Sequence, residues 1–381
     1  MRGRRKYEKM NIINVENITK SYTGRKLFSK ASFYVQENEK IGIIGINGTG
    51  KSTLLKIVAG DEEPDEGTVT TANHIVINYL PQNPEFDPDE TALEHVMSRV
   101  VTSQLDEDMR WSIESDAKSL LMKLDITDMT QKTGELSGGQ RKRLALATVV
   151  LKPCDVLILD EPTNHLDVTT IEWLEGYLKS YTKAVVVVSH DRMFLDNVVD
   201  VVYEIEYGTA RRYPGNYTNF IARKKENYDK QMKDHIAQQK EIERLQRMVT
   251  RFKGKPTKTS MAQSKQKAID RMVIIEAPDK YDNKTFHANF QPEKETGNDV
   301  LYTSELAIGY DHPLSVVSLD LKRGEKLGIL GGNGLGKSTF LKTIVGKIPA
   351  LSGEYRFGTN VQIGYFDQQM AMYTSLSLIH I

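Results

Sequence analysis

The sequence predicts an α/β fold built around a phosphate loop, followed by a helical hairpin and a second, partial copy of the same unit. Three observations predict it. Residues 45–52 read Gly-Ile-Asn-Gly-Thr-Gly-Lys-Ser, the G-x-x-x-x-G-K-[S/T] pattern, after an apolar strand and at the start of a helix. Val156–Leu159 is a short apolar run, β-branched at Val156 and Ile158 and bounded by Pro153 and Pro162; it reads as a buried strand ending on the acid pair Asp160 and Glu161. The layout then recurs 286 residues later, where Gly331-Gly-Asn-Gly-Leu-Gly-Lys337-Ser338 repeats the loop and Gln368 in GYFDQ repeats Gln82 in NYLPQ.

Taken in order, Met1–Lys9 is charged and patternless, read as a leader ahead of a start at Met10. Strand patterns follow at Asn11–Tyr22, near Phe33–Val35 and at Lys40–Ile44, then the loop, then a helix over Thr53–Ala59. Glycines let successive loop N–H groups converge on phosphate, Lys51 reaches the outer phosphates, and the Ser52 hydroxyl is placed for Mg²⁺. His74–Tyr79 reads as a strand delivering Gln82, and residues 83–135, with helical runs in DETALEHVMSRVV and Trp111–Leu124, suffice for a small helical subdomain. Leu136-Ser-Gly-Gly-Gln140 opens a helix running to about Leu151, and its glycine pair frees N–H groups where an anion can sit. Beyond the acid pair come a helix over Thr169–Tyr181 and an apolar strand, Ala184–Val188, that delivers Ser189 and His190. Ligands collect at the carboxyl ends of strands in open α/β sheets, so Asp160, Glu161 and His190 are expected beside the loop. A strand ending in two carboxylates can hold Mg²⁺ and orient a water.

After Tyr-Pro-Gly-Asn-Tyr (213–217), apolar residues from Tyr228 to Phe252 recur at spacings of three and four, a long amphipathic helix broken by Gly254 and Pro256. A second helical run over Ser260–Ile275 predicts an antiparallel hairpin. Between Ile221 and Met272 stand fifteen Lys or Arg against six Asp or Glu, a net of +9. The turn gathers Arg247, Arg251, Lys253, Lys255 and Lys258. Composition alone leaves two readings open, a solvated helix tip or a probe for a phosphate backbone. The resulting boundaries are 10–207, 208–298 and 299–381.

Over the whole chain 51 basic residues balance 51 acidic ones, so no overall field selects nucleic acid or membrane. The single cysteine, Cys154, excludes a disulfide within the chain and reads as a small buried filler. No apolar run approaches the length that spans a bilayer, and the chain is read as cytoplasmic.

Assembled, these residues resemble the nucleotide-binding domains of ATP-binding cassette proteins, which are P-loop NTPases. GINGTGKS resembles their Walker A, Gln82 their Q-loop, LSGGQ at 136–140 their signature, VLILDE at 156–161 their Walker B, NHLD at 164–167 their D-loop and His190 their switch histidine. The paired units without membrane spans, the DEPTNHLD wording, YPGNY and the charged linker are similar to the ABC-F proteins, translation factors and antibiotic-resistance proteins that act on the ribosome.

By that resemblance Tyr22 stacks on adenine, and Gly45, Asn47, Gly48, Thr49, Gly50, Lys51, Ser52 and Thr53 hold the phosphates of ATP. Ser52, Gln82 and Asp160 serve Mg²⁺, Glu161 polarises the attacking water and His190 contacts the γ-phosphate. In the second unit Tyr310, Gly331, Asn333, Gly334, Leu335, Gly336, Lys337, Ser338, Thr339 and Gln368 take the matching parts, with Ser338 and Gln368 at the metal. Units of this family close head to tail, so Ser137, Gly138, Gly139 and Gln140 face the nucleotide of the other unit. The hairpin, in the family, enters the ribosome near tRNA and rRNA, which favours RNA contact by the basic tip.

The second unit stops soon after Gln368, without a second signature, Walker B or switch histidine, and is read as truncated, its last residues fitting no cassette pattern. Weak ATP hydrolysis by this chain alone is the expectation. Two further readings stay open: the ATP-hydrolysing subunit of a transporter with separate membrane subunits, and a nucleic-acid ATPase that acts away from the ribosome.

Overall fold

The computed structural model describes residues 10–22, 24–101, 107–164, 166–253, 258–278, 296–332 and 334–366. Two compact units divide near residue 285.

In the first unit the elements run β1 (Asn11–Tyr22), β2 (Arg25–Gln36), β3 (Lys40–Ile44), α1 (Lys51–Ala59), β4 (Glu66–Thr71), β5 (Ile77–Leu80), α2 (Ala92–Val100), α3 (Glu107–Lys123), α4 (Gly138–Leu151), β6 (Val156–Asp160), α5 (Val168–Ser180), β7 (Ala184–Val188), α6 (Arg192–Val198), β8 (Val201–Glu206), β9 (Thr209–Pro214), α7 (Tyr217–Phe252) and α8 (Thr259–Asp270). Two sheets face each other. One is antiparallel, in the order β2-β1-β4; the other runs β5-β6-β7-β3-β8-β9, parallel except for β9 at its edge.

Parallel strands covered on both faces need apolar residues at every position, which is why VLIL and AVVVV are unbroken runs and every residue of β6 and β7 is buried. One face packs Ile41, Ile43, Ile158 and Val186 with α1 and the antiparallel sheet through Leu54, Leu55, Phe28 and Phe33. The other packs Leu157, Leu159, Val185 and Val187 against α4, α5 and α6 through Leu146, Leu174, Leu178, Phe194 and Leu195. A third core, with Val96, Ala117, Leu121, Leu144 and Ala147, joins α2 and α3 to α4. The helix α2 is set by a capping box in which Thr91 and Glu94 satisfy each other's backbone N–H.

Three expectations shift. The strand expected over His74–Tyr79 begins only at Ile77, because His74 takes a left-handed turn (φ 63°). The strand placed near Phe33–Val35 extends back to Arg25 along β1. The helix expected over Ser260–Ile275 stops at Asp270, since the β-branched run Val273-Ile274-Ile275 favours extended backbone. That run is laid back along α7: Ile275 N–H donates to Gln238 Oε1 at 2.7 Å, and Gln238 Nε2 donates to the Val273 carbonyl at 2.7 Å. Among the described residues no helix is long and apolar enough to cross a membrane.

In the second unit β10 (Asp299–Gly309), β11 (Pro313–Lys322), α9 (Lys337–Ile344) and β12 (Ser352–Phe357) form an antiparallel sheet in the order β11-β10-β12, the arrangement of β2-β1-β4. A small core of Leu301, Leu306, Ile308, Phe340 and Ile344 holds helix to sheet.

Candidate active site

The loop between β3 and α1 is shaped by two glycines. Gly50 caps α1 at φ 98°, and a Cβ there would stand 2.8 Å from the Phe28 ring. A Cβ on Gly45 would lie 2.6 Å from the Ile205 carbonyl oxygen, so the loop sits directly on β8. Lys51 bends back over the loop, donating to the Gly45 and Ile46 carbonyls at 2.9 and 3.3 Å. Burial holds its ammonium below the ordinary lysine value, with Glu161 and Asp160 pulling the other way.

The strand ends bring the remaining groups to the same place. Tyr22, Asn47, Gly48, Gly50, Lys51, Ser52, Thr53, Gln82, Asp160, Glu161 and His190 line one cleft of about 520 Å³. Asp160 is 2% exposed, and neither carboxylate oxygen makes a hydrogen bond, although Ser52 lies close enough to favour its ionised form. Burial pushes its carboxyl above the usual range. A buried carboxylate without donors is costly unless a cation completes it, so this is where a hard divalent ion fits, with the Ser52 hydroxyl and the Gln82 amide as neutral oxygen donors. Among the described residues no cluster of three His, Cys, Asp or Glu side chains could hold a metal by itself.

Glu161 is also buried, its carboxyl raised by desolvation, and its backbone stands at φ 52°. Its N–H donates to the Val188 carbonyl at 2.9 Å, which ties the end of β6 to the end of β7. From there the His190 N–H donates to Glu161 Oε2 at 3.4 Å, and His190 Nε2 stands 3.5 Å from Oε1 on a largely exposed ring. Tyr22 is partly exposed at the rim, its hydroxyl donating to Glu62.

Sequence reasoning missed Lys142. It lies one turn into α4, a turn ahead of Leu146, which packs on β6; burial lowers its ammonium while Glu161 and Asp160 raise it. The run Arg141-Lys142-Arg143 after LSGGQ carried the charge, but not which groups each cation meets in space. Asn164 also lines the cleft.

Ser137, Gly138, Gly139 and Gln140 do not line it. They form the first turn of α4, where Ser137 Oγ accepts from Gln140 N–H at 3.2 Å and Gln140 Oε1 accepts from Ser137 N–H at 3.0 Å. In the second unit Gly336 caps α9 at φ 89°, and Lys337 donates to the Gly331 and Gly332 carbonyls at 2.7 and 2.6 Å. Gly334, Leu335, Ser338 and Thr339 complete that loop and helix start, and Tyr310 is exposed at the end of β10. Asn333, Gln368 and Lys255 lie outside the described residues. Arg247, Arg251, Lys253 and Lys258 are all exposed at the α7–α8 turn.

A protein-family model described as ABC transporter matches residues 28–164 and again 314–378, and a second of the same description matches 203–288. Curated relatives agree. The chain is 37% identical to the ABC transporter ATP-binding protein YfmR of Bacillus subtilis, over 94% of this chain and 62% of that protein. It is 33% identical to YfmM of the same organism, over 95% of this chain and 76% of that protein. It is 32% identical to ABC transporter F family member 5 of Arabidopsis thaliana, over 94% of this chain and 58% of that protein. With YfmR and the Arabidopsis protein, then, it spans about three fifths of the relative's length. A phosphate loop, acid pair and histidine gathered at adjoining strand ends, together with these family matches and relatives, make this chain a member of the ABC transporter family of ATP-binding cassettes, with ABC-F-like relatives.

Proposed function

We propose that the cleft of the first unit binds ATP with Mg²⁺ for hydrolysis, and that the protein is an ABC-F-type ATPase whose nucleotide-driven closure sets the basic hairpin against RNA of the ribosome. The observation that carries the ATP reading is Asp160, buried with two unsatisfied oxygens beside Ser52 and Lys51. Loop N–H groups and Lys51 neutralise the β- and γ-phosphates, and the α1 N-terminus adds its dipole. Ser52, Gln82 and Asp160 would hold the metal, which would supply charge neutralisation to the phosphates. Glu161 would orient the attacking water, its basicity raised by burial, and His190, 3.5 Å from Glu161, would contact the γ-phosphate. The loop of the second unit, with Lys337, Ser338 and Thr339, would hold a second nucleotide in the same way.

The RNA reading is supported by the exposed cations at the hairpin turn, by the net charge of the linker and by the F-type relative. Ribosome co-sedimentation with ATP tests it, using Glu161→Gln to stall hydrolysis after binding. Retention on ribosomes is expected. R247E/R251E should weaken it and flatten its salt dependence by about two units of slope. Partition to membranes, or charge reversal without effect, would sink the ribosomal reading and leave the transporter subunit.

A further inference from the structure

A second cavity, about 510 Å³, shares the phosphate loop and His190 with the nucleotide cleft, but its other walls include Arg192, Glu204, Tyr217 and Lys224. Those residues tie the hairpin helix to two parts of the site. Glu204 is 7% exposed on β8, directly across from Ile44, the residue that precedes the loop. Lys224, two turns into α7, donates to Glu204 and, at 3.0 Å, to Glu206 Oε2, while the Tyr213 hydroxyl donates to Glu204 at 3.3 Å. Because Gly45 rests on the Ile205 carbonyl, a shift of the loop is a shift of this strand end.

The second tie reaches His190. Asp191 caps α6, accepting from Met193 and Phe194 N–H, so α6 moves with the histidine that precedes it. Thr218, in the first turn of α7, donates from its N–H and its hydroxyl to Asp196 of α6 at 2.7 and 2.5 Å. The Arg192 guanidinium stands 6.0 Å over the Tyr217 ring, and Phe220 shares a core with Leu195. Beyond this base α7 continues unbroken for 36 residues without glycine or proline, a stiff rod of roughly 54 Å that carries a small rotation at its root to the basic turn.

We infer that Lys224 is a positioning residue which, with Thr218, clamps the root of the hairpin helix both to the strand under the phosphate loop and to the helix behind His190, so that nucleotide occupancy is passed to the hairpin. This rests on the reading of the cleft as an ATP site. A partly buried pair that leaves Glu204 uncompensated when broken holds more firmly than a surface ion pair, which suits a joint that transmits motion.

Hydrogen exchange of the whole chain with and without ATP and Mg²⁺ tests it. In the wild type, ATP should slow exchange both in the loop, residues 45–53, and in the α7 root, residues 217–228. K224M should keep ATP affinity within about twofold and keep loop protection, yet lose the response of the α7 root by roughly threefold or more, with K224R restoring it. T218V, on a more exposed pair, should lose part of that response and decides the matter if K224M does not fold. An α7 response unchanged in both variants, or absent from a wild type whose loop is protected, overturns the inference while leaving ATP binding intact. A loop that ATP fails to protect overturns the ATP reading itself.

Discussion

Two stretches of this molecule are nearly the same sequence in different company. Residues 39–52 read EKIGIIGINGTGKS and residues 325–338 read EKLGILGGNGLGKS. The loops match: both lysines curl onto the first loop carbonyl, and both helices start from a left-handed glycine. The strands before them do not. Lys40–Ile44 is central in a sheet, between β7 and β8, with Ile41 and Ile43 fully buried. Its counterpart forms no strand, and Leu327, Ile329 and Leu330 are 51%, 38% and 87% exposed. Residues 363–366 repeat the contrast with β5: Ile363 and Phe366 are exposed where Leu80 is buried. Among the described residues the second unit has no counterpart of β6, β7 or β8. A glycine loop closes on itself through local hydrogen bonds, whereas a parallel strand exists only when distant chain supplies its neighbours.

The sharpest way to break this comparison is a matched pair of truncations. Ile43→Ala should destabilise the first unit by about 3 kcal/mol, from lost burial and a cavity, while Ile329→Ala should cost under about 0.5 kcal/mol. Denaturant midpoints of the two variants measure it, and equal losses would mean that the second strand is packed after all. Next in size, Lys51→Ala should weaken ATP binding about 100-fold through the lost charge-assisted bonds, and Lys337→Ala much less, since among the described residues only the first loop has an acid pair and histidine gathered beside it. Equilibrium binding with each variant decides whether completeness of the pocket, rather than the loop alone, sets affinity.

The smallest effect sharpens the comparison at Asp160. Its carboxyl titrates above the ordinary value when folded, so the folded chain binds more protons there than the unfolded one. Its contribution to stability therefore falls as pH rises from the ordinary carboxylate value through the raised one. Asp160→Asn should stabilise the nucleotide-free chain by about 1 kcal/mol near neutrality, flatten that pH dependence and remove any stabilisation by Mg²⁺ with ATP. Melting curves between pH 4 and 8, with and without Mg²⁺ and ATP, test the sign; a destabilised apo variant would refute it.

Much of the site was legible because its chemistry is written in short spacings. The glycine loop, the glutamine after a short strand, the acids at the end of an apolar run and the histidine after the next one mark Lys51, Ser52, Gln82, Asp160, Glu161 and His190, and the structure brings all six into one cleft. The less legible part is relational. Lys142 belongs to a run of three adjacent cations, Arg141 to Arg143, and local spacing does not tell that it is half-buried within the field of Asp160 and Glu161 while Arg143 is buried beside Asp125. The positive φ of Glu161 depends on a hydrogen bond to Val188, whose partner in sequence no local pattern marks. The end of α8, ahead of the β-branched run Val273-Ile274-Ile275, is not legible, because apolar spacing alone cannot tell a last helical turn from an extended return along another helix.

By itself, then, the sequence determined what needs only neighbours in the chain: the two loops, the period of each strand and helix, the repeat, and the charge of the hairpin. Tertiary structure alone decided which copy of the segment before the loop is buried as a strand, that Arg143 is buried while Lys142 is only half-buried, and how Lys224 and Thr218 fasten the hairpin to β8 and α6. The physical reason is range. Backbone turns and caps are fixed by bonds within a few residues, while burial and ion pairing are set by groups brought together from far along the chain, and closely similar residues meet different fates when those groups differ.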